Sequence, residues 1–390
     1  MISGKNFKRL PVFLLLVLSF SAVTYGIFAQ NGRSEFDQIV PVKKEPVTVA
    51  VFYPSVGTIK DLLTLRKERL IDIPDLAVLA VYHELEMTEY DKAKEYAKAN
   101  RLDWVAFHPI GAPLSPENLF KKNDCSEEFK KIFDRVDGII FFGGPDIPPY
   151  LYGEKTSLLT EITDPYRHFL ETSFIFHLLG GYQDESFTPL LEQRPYLPIF
   201  GICLGCQSLA VGTGGALTQD IWSEIYGKST LEEVIALGKE YWHTSPYAGL
   251  FPRKDLFRYA FHSIKLDAGG KFCRETGIDE KNTPYILSAH HQQIKKMGKG
   301  FSPLATSLDG KVVEAIEHGL YPKVLGVQFH PEMSNLYDPD YRVFMSPQEK
   351  QAVSLRSFLE SDRPSWEFHQ KIWSWVSRGW VESHRRRAGR

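Results

Sequence analysis

Apolar positions along this chain follow two rhythms that alternate over most of its length. Val47-Thr48-Val49-Ala50-Val51-Phe52-Tyr53, Trp104-Val105-Ala106-Phe107 and Gly138-Ile139-Ile140-Phe141-Phe142 are short, nearly continuous apolar runs rich in β-branched and aromatic residues. Such runs predict strands buried on both faces. Leu76 to Val81 has the same character, whereas Tyr90 to Asn100, Phe129 to Val136 and Arg167 to Leu179 are expected to be helical. Tyr196-Leu197-Pro198-Ile199-Phe200 reads as another strand, with later ones at Ser263 to Leu266, Tyr285 to Ser288, Val312 to Glu317 and Val324 to Phe329, some of them antiparallel. The alternation predicts an α/β, doubly wound, mostly parallel sheet with its site at the carboxyl ends of the strands. Trp366, Phe368, Trp373 and Trp375 recur at near-helical spacing and predict a C-terminal amphipathic helix lying on the body.

The two ends obey different rules. Lys5, Lys8 and Arg9 precede the apolar run Leu10 to Phe20, and smaller residues lead to Phe28-Ala29-Gln30. Residues 1–29 are therefore expected to be an export signal, leaving a periplasmic or secreted chain without stable membrane contact. An uncleaved membrane anchor is the alternative, because the apolar stretch approaches the roughly 20 residues that span a bilayer. Residues 30–46, polar with two prolines, are expected to be a linker, 47–380 one domain and 381–390 a solvated basic tail. The 390 residues, 43% hydrophobic, suffice for one sizeable core, and a net charge of −2 gives no general attraction to nucleic acid.

Candidate chemistry enters at Gly201-Ile202-Cys203-Leu204-Gly205-Cys206-Gln207, which continues into Ser208-Leu209-Ala210-Val211 and reads as strand, sharp turn, helix. Gly201 and Gly205 stand two residues either side of Cys203, where side chains would collide in such an elbow. At the start of a helix the thiol meets the positive end of the dipole and orphan amide protons, which favour the thiolate. Far downstream, Gln328-Phe329-His330-Pro331-Glu332 offers an imidazole as general base and, two residues on along the same face, a carboxylate to orient it.

These segments together resemble the class I glutamine amidotransferase-like superfamily, and further motifs resemble its γ-glutamyl hydrolase branch, peptidase C26. Phe142-Gly143-Gly144-Pro145-Asp146 through Tyr152-Gly153-Glu154 is similar to that branch's G-G-x-D-x-x-P-x-x-Y-G stretch. Gly214 to Asp220 is similar to its G-G-x-L-x-Q-D, and Ser288-Ala289-His290-His291-Gln292 to its S-x-H-H-Q. The likeness spans roughly residues 136 to 332. It implies a flavodoxin-like sheet with a nucleophile elbow, a Cys203, His330, Glu332 triad, and an oxyanion hole from the N–H groups of Gly144 and Leu204. Pro145 has no N–H, which leaves Gly144 as the natural donor of its turn. The resemblance further places Gln207, His290, His291 and Gln292 on the substrate side.

The expected activity is hydrolysis of a small γ-glutamyl amide through a γ-glutamyl thioester, with no cofactor. A glutaminase component feeding ammonia to a synthetase, and a noncatalytic binding protein on the same fold, are the alternatives. No metal is assigned: neighbouring residues of a strand face opposite ways, so His290 and His291 make a poor pair of ligands, and His83-Glu84 lacks the second histidine of a zinc protease motif. Cys203 and Cys206 form a C-x-x-C, for which redox chemistry, an oxidative off-switch and a simple buried Cys206 are all readings, and the pairing of Cys125 and Cys273 stays open. Residues 181–195 and 225–261 look like insertions. Trp222, Tyr226, Tyr241, Trp242 and Tyr247 are expected to cap a leaving group, to form a packed lid or to line a homodimer surface.

Overall fold

The computed structural model describes residues 45–389 apart from 249, 252–254 and 280, so the expected export signal and nearly all of the expected linker lie outside the described residues. No described helix is long and apolar enough to cross a membrane.

Strands β1 (Val47–Phe52), β2 (Leu76–His83), β3 (Val105–Ile110), β4 (Gly138–Phe141) and β5 (Ile199–Ile202) alternate with helices α1 (Val56–Lys67), α2 (Tyr90–Ala99), α3 (Ser126–Arg135) and α4 (Pro165–Leu179). Helix α5 (Leu204–Gly212) follows β5 almost directly. The later strands are β6 (Ala216–Thr218), β7 (Ala260–Leu266), β8 (Tyr285–Ser288), β9 (Gln293–Lys296), β10 (Phe301–Ser307), β11 (Val313–His318) and β12 (Val324–Val327).

Ten of these strands form one sheet in the order β3-β2-β1-β4-β5-β12-β11-β10-β7-β8, and β6 and β9 pair apart from it. From β3 to β12 every neighbour is parallel; from β12 through β8 every neighbour is antiparallel. The chain steps outward from β1 in both directions, so the switch in strand order falls beside β1 and β4, where a doubly wound sheet leaves its crevice. This is a flavodoxin-like α/β fold with an antiparallel extension.

Burial on both faces explains the continuous apolar runs. All six residues of β1 are buried; Val47, Val49 and Val51 join the core layer that includes α1 and α2, while Ala50 and Phe52 join the layer of α3 and α4. The C-terminal helix (Arg363–Ala388) seals the first layer with Trp373 and Trp380, both fully buried. Trp373 Nε1 donates to the Pro331 carbonyl at 3.0 Å, so this helix braces the segment that carries His330 and Glu332.

The basic tail departs from expectation. The helix continues through Ala388, and buried Asp137 accepts from His384 Nδ1 at 2.9 Å and Arg387 Nε at 2.8 Å. The buried carboxylate holds both groups by hydrogen bonds, so the helix is docked at His384 and Arg387 while Arg385 and Arg386 stay exposed.

Candidate active site

Three adjacent parallel strands deliver the candidate residues to one place. Phe142 to Gly144 leave β4, Cys203 leaves β5 and Gln328 to His330 leave β12, with Gly201 beside Phe141 and Ile202 beside Val327 in the sheet. The Cys203 N–H donates to the Val327 carbonyl at 2.7 Å, tying the turn to β12. Cys203 itself has φ 51° and ψ −103°, a conformation that a residue with a Cβ holds only where its surroundings impose it. Gly205 permits that bend, since a Cβ there would overlap the Phe141 carbonyl oxygen. Cys203 is thus the residue before the first turn of α5, at the amide end of the helix.

His330 completes the arrangement from β12. Its Nδ1 donates to Glu332 Oε1 at 2.7 Å, and its backbone N–H donates to the Leu287 carbonyl at 2.8 Å. With Nδ1 committed to the carboxylate, Nε2 is the nitrogen left for the thiol. A Cβ built on Gly143 would lie 2.9 Å from His330 Cε1 and 3.4 Å from Cys203 Cβ, so the imidazole and the thiol residue meet over the bare Gly143 backbone. Burial opposes the imidazolium, but Glu332 and Cys203 outweigh it and hold His330 well above the ordinary histidine range. Gln328 Nε2 approaches Cys203 Sγ at 3.7 Å.

The loop after β4 is fixed by a charge pair that sequence reasoning missed. Arg167 and Glu171, one turn apart on α4 and both buried, meet at 2.9 Å. Arg167 Nη2 donates to the carbonyls of Phe142 at 2.8 Å and Gly143 at 3.0 Å, and its guanidinium occupies the space that a side chain on Gly144 would need. Glu171 in turn accepts from Ser208 Oγ at 3.1 Å, on α5. One ion pair therefore spans the loop and the elbow helix. With its carbonyl groups held from behind, this loop leaves the Gly144 N–H without a backbone acceptor among the described residues, and the Leu204 N–H opens α5 with no intrahelical partner. The signal available in the sequence was an Arg and a Glu at i, i+4 inside an otherwise apolar helix.

A second missed group is Asp61 on α1. Its Oδ1 accepts from the Ser334 N–H at 2.9 Å. Burial first, and then the Glu332 charge, raise its carboxyl to about 7. No motif marks this residue, because α1 is joined to the segment of His330 and Glu332 only through the fold.

The remaining candidates divide. Gln207 is buried, and its Nε2 donates to Gln328 Oε1 at 3.3 Å and to the Gln292 carbonyl at 3.4 Å, which ties the Gln328 side chain and the Gln292 backbone to α5. The Gln292 side chain is buried, and neither amide atom has a partner among the described residues. His291 lies 3.1 Å from both oxygens of Asp146 and 3.5 Å from Asp220; burial lowers it, but the two carboxylates prevail and raise it to about 9. His290 turns into a different buried group, with Nε2 3.5 Å from Glu314. All four cysteines are free and buried, and Cys206 lies against β12 at Gly326. The aromatics of the second insertion pack on one another: Trp242 and Tyr247 are 5.3 Å apart, Tyr226 and Tyr241 5.5 Å.

The sequence pattern of the Peptidase C26 family matches residues 110–332. The chain is similar to a glutamine amidotransferase-like protein of Lactococcus lactis, 32% identical over 209 residues, which cover 54% of this chain and 71% of that protein. It is also similar to the γ-glutamyl-γ-aminobutyrate hydrolase of Escherichia coli, 26% identical over 229 residues, 58% of this chain and 75% of that one. A solved glutamine amidotransferase from Methylobacillus flagellatus aligns over 87% of this chain and 95% of its own with 15% identity and a TM-score of 0.39.

Proposed function

The chain belongs to the Peptidase C26 family and is a hydrolase, and from that premise we propose that it cleaves γ-glutamyl amide bonds with Cys203 as nucleophile, releasing glutamate. The observation that carries the reading is the convergence of the strained Cys203 turn, φ 51°, with an imidazole held by Glu332 at 2.7 Å. A glycine backbone between them leaves no room for anything larger than a hydrogen on its α-carbon.

In the proposed cycle the Cys203 thiolate, its proton on His330, attacks the γ-carbonyl carbon. Negative charge gathers on the carbonyl oxygen, where the N–H groups of Gly144 and Leu204 receive it; one such donor is worth about 3 kcal/mol in the transition state. His330 passes its proton to the departing nitrogen, the C–N bond breaks, and the γ-glutamyl thioester remains. Water then gives a proton to His330 and its oxygen to the thioester carbon, which frees glutamate and returns the thiol. Glu332 keeps the imidazole in one tautomer through both halves. The 26% identity to a γ-glutamyl-γ-aminobutyrate hydrolase supports a γ-glutamyl group on the acyl side.

The test is glutamate release by the purified chain from glutamine, γ-glutamyl-γ-aminobutyrate, short γ-glutamyl peptides and a folate polyglutamate, beside Cys203→Ala. Release from one class, absent in the variant, is the expected result and identifies the leaving group. A panel that yields no glutamate, or equal release by both chains, would sink the reading.

A further inference from the structure

Four buried side chains from four separate segments meet without satisfying one another: His243 before β7, His262 on β7, His290 after β8 and Glu314 on β11. Their ligand atoms all lie within 4.8 Å of one another. Glu314 Oε1 is 3.1 Å from His243 Nδ1 and 3.7 Å from His262 Nε2, and Glu314 Oε2 is 3.5 Å from His290 Nε2. None of these approaches makes a hydrogen bond. Both Glu314 oxygens, both His243 ring nitrogens and the Nε2 atoms of His262 and His290 have no such partner among the described residues. Buried polar atoms are otherwise almost always paired, and a buried carboxylate needs a cation.

The orientation of the rings is informative. His262 Nδ1 donates to the Ser263 carbonyl at 3.2 Å, and His290 Nδ1 to the Gln292 carbonyl at 2.9 Å. An imidazole whose Nδ1–H is held by a backbone carbonyl presents the Nε2 lone pair, which is how metal-binding histidines are set.

We propose that His243, His262, His290 and Glu314 form a site for one divalent transition-metal ion, with zinc the best match. Zinc bonds of roughly 2.0–2.2 Å in a tetrahedron place ligand atoms about 3.4 Å apart, and the separations of 3.1, 3.5 and 3.7 Å fall around that edge. Three imidazoles with one carboxylate suit zinc, whereas magnesium and calcium take oxygen ligands. All four ligands come from the protein and all are buried, so the ion is structural, with no position open to substrate.

The site has a consequence for its surroundings. The His243 carbonyl accepts from the His290 N–H at 2.8 Å and from Ser288 Oγ at 2.7 Å, at the end of the strand whose Leu287 carbonyl holds the His330 N–H. The ion would therefore pin His243 to the strand that supports the backbone of His330.

The experiment uses the full chain, stripped with a chelator and then titrated with Zn²⁺ alone and with Co²⁺ alone. Expected are about one equivalent of Zn²⁺ per chain, a higher Tm with Zn²⁺, and the intense visible absorption of tetrahedral Co²⁺. His262→Ala and Glu314→Gln each weaken Zn²⁺ binding by at least about tenfold, while His291→Ala and Cys203→Ser keep the wild-type stoichiometry. Should the ligand variants fail to fold, the wild-type Co²⁺ spectrum decides. Uptake below about a tenth of an equivalent, a weak octahedral Co²⁺ spectrum, or loss of uptake in Cys203→Ser would overturn the proposal. Uptake is read without substrate, so its failure and a failure of the γ-glutamyl reading are separable.

Discussion

Two buried histidine and glutamate groups flank β12, and their polar atoms are arranged in opposite ways. In the first, His330 Nδ1 meets Glu332 Oε1 at 2.7 Å, and the neighbouring thiol is approached by Gln328. In the second, Glu314 stands 3.1, 3.5 and 3.7 Å from three imidazoles and hydrogen-bonds to none of them. In the first group a directed hydrogen bond fixes one tautomer and leaves His330 Nε2 uncommitted, with Glu332 Oε2 buried and without a partner among the described residues. The second is a cluster of buried ring nitrogens and carboxylate oxygens that find no hydrogen-bond partner in one another. The Gln328 N–H donates to the Glu314 carbonyl at 2.8 Å, one of the bonds that tie the two groups together. Residue types alone do not distinguish a proton-transfer site from a cation site; the hydrogen bonds do.

Neutralising the first carboxylate is the strongest way to test that contrast. Glu332→Gln is expected to lower kcat on the order of a thousandfold through loss of the correct tautomer, with Zn²⁺ uptake unchanged; steady-state kinetics beside metal titration reads both. Equal loss of activity and metal would merge the two groups into one.

The Arg167 pair gives the next largest effect. Arg167→Met leaves the Glu171 carboxylate buried and unpaired, which should cost about 3 kcal/mol of stability in chemical denaturation and also lower kcat. Wild-type stability in this variant would remove the brace from the account of the oxyanion loop.

Asp61 supplies a pH signature. Its carboxyl stands at about 7 in the folded chain against an ordinary value of 3.8, so the fold binds the proton more tightly than the unfolded chain does. Asp61 therefore costs stability progressively as pH rises from about 4 to about 7. Asp61→Asn should match the wild type near pH 4 and exceed it by up to about 4 kcal/mol at pH 8. A constant difference across that range would contradict the shift.

Much of the candidate site was legible in the sequence because it is local. Cys203 sits within a seven-residue elbow and His330 lies two residues from Glu332, so strand geometry alone places those groups. The inner parallel strands were readable for the same reason: β1, β2, β4 and β5 are buried along their whole length and almost wholly apolar, whereas the edge strand β3 is only partly so. Strand β10 was not, because Pro303 interrupts it and its exposed residues break the run. Nor was the Arg167 brace, whose partners are carbonyl groups and so leave no residue-type pattern. His243, His262, His290 and Glu314 are spread over four segments, and only the antiparallel extension brings them together. His290 and its sequence neighbour His291 turn to different clusters, one at Glu314 and the other at Asp146, a division that their adjacency in the sequence does not show.

The most direct test of the central claim is to look for the acyl group itself. The chain is quenched in acid during turnover of the best substrate from the glutamate-release panel, digested, and the peptide containing Cys203 is weighed by mass spectrometry. The account predicts a glutamyl adduct on Cys203 that disappears when turnover is allowed to finish and is absent from Cys203→Ala. Glutamate release at an undiminished rate by Cys203→Ala, or a glutamyl adduct on another residue, would contradict it.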